Sequence, residues 1–220
     1  MTHGQRTGPR PGLRERKKQR TRDALLRAAL ELFTTQGYER TTVDEIVEAV
    51  DVSQRTFFRY FASKEETTFA VQEMIESRFI DELRRRPAAE APLEAMRQAM
   101  MSAWAGIGET LSEVVSIDLY IRMYQMVEST PDLFAAHLQR GVAMENQVVE
   151  LIAEREGLDV RTDPRPRVAV AAFSSVIRVT GQLWGRSPDP SVESLRGLTQ
   201  EYLDHLVPAL ASDWRRGEVS

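Results

Sequence analysis

Between Val52 and Glu66 the chain reads VSQRTFFRYFASKEE, which sets Phe57, Phe58, Tyr60 and Phe61 beside Arg55, Arg59 and Lys64. Rings and cations in one short segment fit a surface with two neighbours, an apolar core behind and a polyanion in front. At helical spacing Val52, Phe57 and Phe61 turn inward and leave Gln54, Arg55, Thr56, Phe58, Arg59 and Tyr60 facing out. These side chains have the chemistry of duplex DNA recognition. Gln pairs with adenine, Arg with guanine, Thr or Phe touches a thymine methyl, and a Tyr hydroxyl bonds a phosphate. Lys64 adds a cation near a helix start, where backbone N–H groups already favour an anion. The plainer alternative is an aromatic core with arginines snorkelling outward.

The elements that must position these residues are helical. Leu25, Ala28, Ala29, Leu32 and Phe33 recur at helical spacing and Gly37 supplies a stop, so a first helix is expected from about Leu13 to Gln36. In TTVDEIVEAV, Thr42 and Glu45 have capping-box spacing, and Val43, Ile46, Val47 and Val50 form one apolar face. Asp51 and Val52 make the break, Ser53 is the N-cap of a third helix from Gln54 to Phe61, and Ser63 caps a fourth. Further helices are expected over 63–86, 91–107, 110–128, 131–156, 165–185 and 191–211, separated by Pro or Gly. No run alternates with period 2 strongly enough for a strand. The expected fold is all-α, with an arm over 1–12, a small helix-turn-helix domain over 13–64, a larger helical domain over 65–212 and a tail over 213–220.

Charge divides along the same line. Residues 1–64 carry 13 Lys and Arg against 8 Asp and Glu, whereas the rest carries 16 against 25, within a net charge of −4. The basic prelude Arg14, Arg16, Lys17, Lys18, Arg20 and Arg22 suits a minor-groove arm or a tail that raises nonspecific affinity. With no cysteine among 220 residues, disulfides, thiolate metal sites and cysteine nucleophiles are excluded. The first twenty residues lack the apolar stretch of a signal peptide, and the apolar run Val168–Ile177 is too short to span a bilayer. A cytoplasmic location is expected.

The run TTVDEIVEAVDVSQRTFFRYFASKEE, with ALELFTTQGYERTT upstream, resembles the DNA-binding segment of the TetR family of bacterial regulators. The likeness spans roughly residues 14–70 and joins Phe33, Gly37, Tyr38, Thr42, Ile46, Val52, Ser53, Thr56, Phe61 and Ser63-Lys64-Glu65 at fixed spacing. By position it implies base or phosphate contacts from Thr42, Gln54, Arg55, Thr56, Phe58, Arg59, Tyr60 and Lys64. Two positions depart from the family's common pattern: Asp51 stands where Gly is usual, and Phe58 where Tyr is usual. Asp tolerates a left-handed turn, and Phe58 lacks a hydroxyl that would reach phosphate. VSQRTFFRYFASKE is similar to the actinobacterial branch that includes mycofactocin-system regulators, which implies an acyl-CoA-like ligand. The resemblance further implies a homodimer on an inverted-repeat operator, acting as a repressor released by a small-molecule effector.

Past residue 70 the candidates are physical. Met96, Met100, Met101, Trp104 and Ile107 follow one predicted helix, Tyr120, Met123, Tyr124 and Met126 the next, and Phe134, His137 and Leu138 the one after. Met100, Trp104, Tyr120, Tyr124, His137 and Phe173 are the candidate lining of an apolar or amphipathic ligand site, the alternative being plain core. Arg178, inside VAVAAFSSVIRVTGQLW, needs a partner if buried: a ligand carboxylate or phosphate, or a structural acid. Ala169, Ala171, Ala172, Ser174, Ser175 and Gly181, with Leu195, Leu198, Tyr202, Leu206 and Leu210, make a dimer face or close the monomer's own core. An enzyme is disfavoured. His3, His137 and His205 are scattered, no HExxH or Walker loop occurs, and Gly106-Ile107-Gly108 lacks the third glycine of a dinucleotide fingerprint, so no catalytic, cofactor or metal residues are assigned. The remaining rival is an architectural DNA binder or adaptor with no effector.

Overall fold

The computed structural model describes residues 12–188 and 190–212, apart from the side chains of 107–113, so the expected arm and tail lie almost wholly outside the described residues. Among the described residues the helices are α1 (Leu13–Gln36), α2 (Val43–Val50), α3 (Gln54–Phe58), α4 (Lys64–Arg85), α5 (Pro92–Val114), α6 (Ile117–Ser129), α7 (Pro131–Glu156), α8 (Arg165–Gly185) and α9 (Val192–Ala211), with no strand. The all-α expectation holds. Two compact units divide between Thr67 and Thr68, within α4.

In the first unit α1 is exposed through Arg20 and buries only its second half, through Leu25, Leu26, Leu30 and Phe33. It ends at Gly37, whose φ of 97° suits glycine and whose N–H returns to the Phe33 carbonyl. The α2 capping box is present: the Glu45 N–H donates to Thr42 Oγ1 at 3.3 Å and the Thr42 N–H to Glu45 Oε2 at 2.8 Å. Asp51 closes α2 in the left-handed conformation, with φ 56°. Ser53 then caps α3 by accepting from the Thr56 N–H at 3.2 Å. The third helix stops three residues earlier than expected, because the Tyr60 N–H reaches back to Phe57 O and tightens the last turn. Ile46, Phe57 and Phe61 complete this core.

In the second unit α8 packs against α9 and α7, and α5 against α9 and α8. The expected break after residue 107 does not occur. α5 continues through Gly106 and Gly108, and Gly106 is where the Arg78 guanidinium lies against the helix, close enough that a Cβ would collide with it. The true break is at Ser116, which caps α6 by accepting from the Leu119 N–H. Arg155 of α7 donates to the carbonyls of Arg86, Pro87 and Glu90 and so holds the α4–α5 turn. Between α8 and α9 the buried Thr199 hydroxyl donates to that of Thr180 at 2.9 Å, and Trp184 Nε1 donates to Ser191 O at 2.7 Å.

Glycine also sets how closely α6 meets α8. The Tyr124 ring lies on Gly185, where a Cβ would stand 2.9 Å from two ring carbons, whereas a Cβ on Gly141 in α7 meets nothing within 4 Å. Gly185→Ala is expected to cost about 1–3 kcal/mol through overpacking. Gly141→Ala is expected to add up to about 1 kcal/mol through helix propensity. Chemical denaturation of the two variants checks the opposite signs.

Candidate nucleic-acid interface and interior polar cluster

α3 is five residues long and takes its place from Phe57, whose buried ring packs on Phe61 at 5.7 Å and on Phe58 edge-on at 5.3 Å. With Phe57 inward, Gln54, Arg55, Phe58 and Arg59 are exposed, and Thr56 and Tyr60 half-buried. Phe58 is 53% exposed, an apolar ring left in water. Gln54 Nε2 donates to Asp44 of α2, and the Thr56 hydroxyl bonds that of Ser53 at 3.0 Å. Arg59 lies over the Tyr60 ring at 4.8 Å and donates to its hydroxyl at 3.1 Å, which pre-arranges a cation and a phenol side by side. Thr42 is also exposed, at the start of α2, with its hydroxyl committed to the capping box. Such a face offers amide, guanidinium, hydroxyl and aromatic edges together, the groups that read base pairs and phosphates.

Lys64 has a further task that sequence reasoning missed. Its ammonium donates to Tyr38 O at 2.8 Å and Thr41 O at 3.1 Å and stands 4.2 Å from the centre of the Tyr38 ring. It thereby fastens the α1–α2 loop. Burial, with Glu65 and Glu39 nearby, pushes the Tyr38 phenol up to about 12, so the ring stays neutral beneath the cation.

The second unit brings together Tyr120, Tyr124 and His137 of the expected lining. Both tyrosine rings meet Trp184 at 6.1 Å, and Tyr124 stands edge-on to His137 at 6.4 Å. His137 stacks on Phe69, and its Nδ1 is 3.0 Å from Gln72 Oε1; Gln72 Nε2 in turn donates to Glu76 Oε1 at 2.7 Å. Burial lowers the His137 pKa against the pull of Glu128, favouring the neutral ring. Burial raises that of Glu76, with Glu73 adding to the effect. Phe173 is buried and stacks on Phe79 at 5.9 Å, and Met100 and Trp104 are buried on α5. Gln72, Glu76, Phe79 and Trp184 were not among the expected residues; the i, i+4 spacing of Gln72 and Glu76 in α4 was the available signal.

Arg178 is a correction. In the single chain it lies exposed on α8, on the stripe that includes Val168, Ala171 and Ser175, so burial among these helices does not force a partner on it. The 3-4-3 spacing of these four residues is one helix face, which the apolar run around them disguised.

Residues 25–71 match the family model described as bacterial regulatory proteins of the tetR family, and residues 90–211 match the MftR C-terminal domain. The chain is 46% identical over 206 residues to the HTH-type transcriptional regulator TcmR of Streptomyces glaucescens, covering 94% of this chain and 91% of that one. It is 24% identical over 200 residues to a Mycobacterium tuberculosis protein named as the mycofactocin biosynthesis transcriptional regulator MftR, covering 90% of this chain and 92% of that one. The solved fatty acid degradation regulator FadR of Bacillus halodurans superposes with a TM-score of 0.57 at 18% identity, covering 93% of this chain and 100% of that one, a likeness of fold.

Lys64→Met removes two charge-assisted hydrogen bonds and leaves two loop carbonyls without them, an expected loss of about 1–3 kcal/mol in stability. Lys64→Arg restores little, since a planar fork does not reproduce a point donor over a ring. Denaturant midpoints of both variants check this; an unchanged midpoint for Lys64→Met contradicts the fastening role.

Proposed function

Because the chain belongs to the TetR family of bacterial regulatory proteins, we propose that it is a repressor that binds an inverted-repeat operator as a homodimer and leaves it when a small apolar or amphipathic effector enters the second unit. The observation that carries the DNA-binding half is the α3 face, where Phe57 is spent on the core and Gln54, Arg55, Phe58 and Arg59 stand exposed on one capped turn. Base contacts are assigned to Gln54, Arg55, Thr56 and Phe58, phosphate contacts to Arg59, Tyr60 and the Thr42 end of α2. Lys64 contributes through the loop that it holds. A regulator of this kind works where the DNA is, in the cytoplasm; among the described residues no helix is long and apolar enough to cross a membrane.

The dimer reading is supported by apolar side chains that the single chain leaves in water: Val168 at 65% exposure on α8, and Val207 at 58% and Leu210 at 77% on α9. Ala171 and Ser175 on the same α8 stripe are small enough for close helix approach. A two-fold pairing of this face gives two copies of α3, hence an operator of two related half-sites. Effector release follows from linkage. Whatever factor the effector removes from operator affinity, the operator removes from effector affinity, with a coupling of about 1–3 kcal/mol.

Two outcomes check this reading. On DNA selected from random sequence, Arg55→Ala is expected to lose roughly 1–3 kcal/mol of binding and to relax preference at one position in each half-site; an equal loss on all sequences makes Arg55 a phosphate contact. Sedimentation is expected to show a dimer that Val168→Asp with Val207→Asp converts to a folded monomer with weakened operator binding. A wild-type monomer with an asymmetric footprint contradicts the dimer.

A further inference from the structure

On the outer face of α3 the amide of Gln54 has an assignable orientation. Its Nε2 donates to Oδ1 of Asp44, on α2. An amide facing water or a hydroxyl can be turned either way, but a carboxylate only accepts, so the end toward Asp44 is the NH2. The Gln54 side chain makes no other hydrogen bond among the described residues, which leaves its Oε1 and one N–H for a further partner. Both residues are exposed, and both stand in the first turn of a capped helix. Asp44 lies two residues past the Thr42 cap of α2, and Gln54 directly follows the Ser53 cap of α3.

An acid in the first turn of α2 has an ordinary explanation in the free N–H groups there, which favour negative charge. That accounts for the charge but not for the bond to Gln54. On a face assigned to DNA the same carboxylate repels phosphates and lowers affinity for every sequence alike. Its bond nevertheless gives Gln54 a defined pattern: with one N–H held by Asp44, the amide presents an acceptor beside a single remaining donor. Adenine shows the complementary pair in the major groove, the N6 amino donor beside the N7 acceptor. Guanine shows two acceptors there, N7 and O6, and Gln54 can serve both only by turning its NH2 to them and releasing Asp44. Asp44 Oδ1 would then lose its donor at an interface from which DNA displaces water, which costs free energy.

Resting on the reading that α3 meets DNA with Gln54 at a base edge, we propose that Asp44 is a positioning residue for base recognition: it holds the Gln54 amide in the orientation that reads adenine and discriminates against guanine. The test uses the full chain and the DNA that it selects from random sequence. Gln54→Ala first identifies the base pair that Gln54 reads, as the position where preference is lost. There the wild type is expected to bind adenine about ten-fold or more tighter than guanine, the scale of a bidentate pair. Asp44→Ala, shown to be folded by circular dichroism, is expected to bring that ratio within about three-fold. Asp44→Asn, whose amide can accept from Gln54 or donate to it, is expected to fall between the two. The ratio is the informative readout, because loss of a negative charge alone raises affinity for both bases equally. An unchanged ratio in Asp44→Ala, with both affinities raised alike, makes Asp44 a charge only and overturns the positioning role while Gln54 stands as a base contact. A wild-type preference for a G·C pair at that position overturns it as well. If Gln54→Ala leaves every base preference intact, the base contact of Gln54 falls and the positioning role falls with it.

Discussion

A five-residue helix has no stability of its own, so the surface that α3 presents depends on burial of Phe57. Initiation is costly and five residues gain almost nothing from propagation. The turn is therefore held from outside: Ser53 accepts the Thr56 N–H, Phe57 enters the core beside Phe61, and the Tyr60 N–H closes on Phe57 O. Each of these uses one side of the turn. What remains on the other side, Gln54, Arg55, Phe58 and Arg59, is left exposed on a backbone that the anchoring fixes, with Gln54 bonded to Asp44. A binding surface gains specificity when its side chains are pre-arranged, since less is lost on ordering them. The Arg59–Tyr60 stack is the clearest case.

The second unit solves a different problem, that of polar groups among apolar helices. Thr180 and Thr199 satisfy each other and the backbone, and Trp184 is satisfied by Ser191. These are structural. The chain Glu76–Gln72–His137 is likewise bonded internally, among half-buried side chains of α4 and α7. α4 carries both kinds of residue along its length, beginning with Lys64 on the α1–α2 loop and continuing to Gln72, Glu76 and Phe79.

Local rules were legible in the sequence wherever partners are near in the chain. The Thr42–Glu45 box, the left-handed Asp51, the Ser53 cap and the inward Phe57 and Phe61 all follow from spacings of a few residues. Long-range partners were not legible. Lys64 reads as a surface cation until the carbonyls of Tyr38 and Thr41 come to meet it, and the glycines around residue 107 suggest a helix break although α5 runs on to Val114. The expected burial of Arg178 was misjudged for another reason, since composition around it outweighed the helical period that leaves it exposed in the single chain. The Gln72–Glu76–His137 cluster joins α4 to α7 across 65 residues of sequence, which no periodicity encodes.

The central claim, that the outer face of α3 meets DNA, is tested most directly by amide hydrogen exchange measured with and without DNA selected from random sequence. Slowing concentrated in residues 42–60, strongest at the α3 turn, is the result expected. Slowing confined to α5–α9, or none at all in the presence of bound DNA, would contradict it.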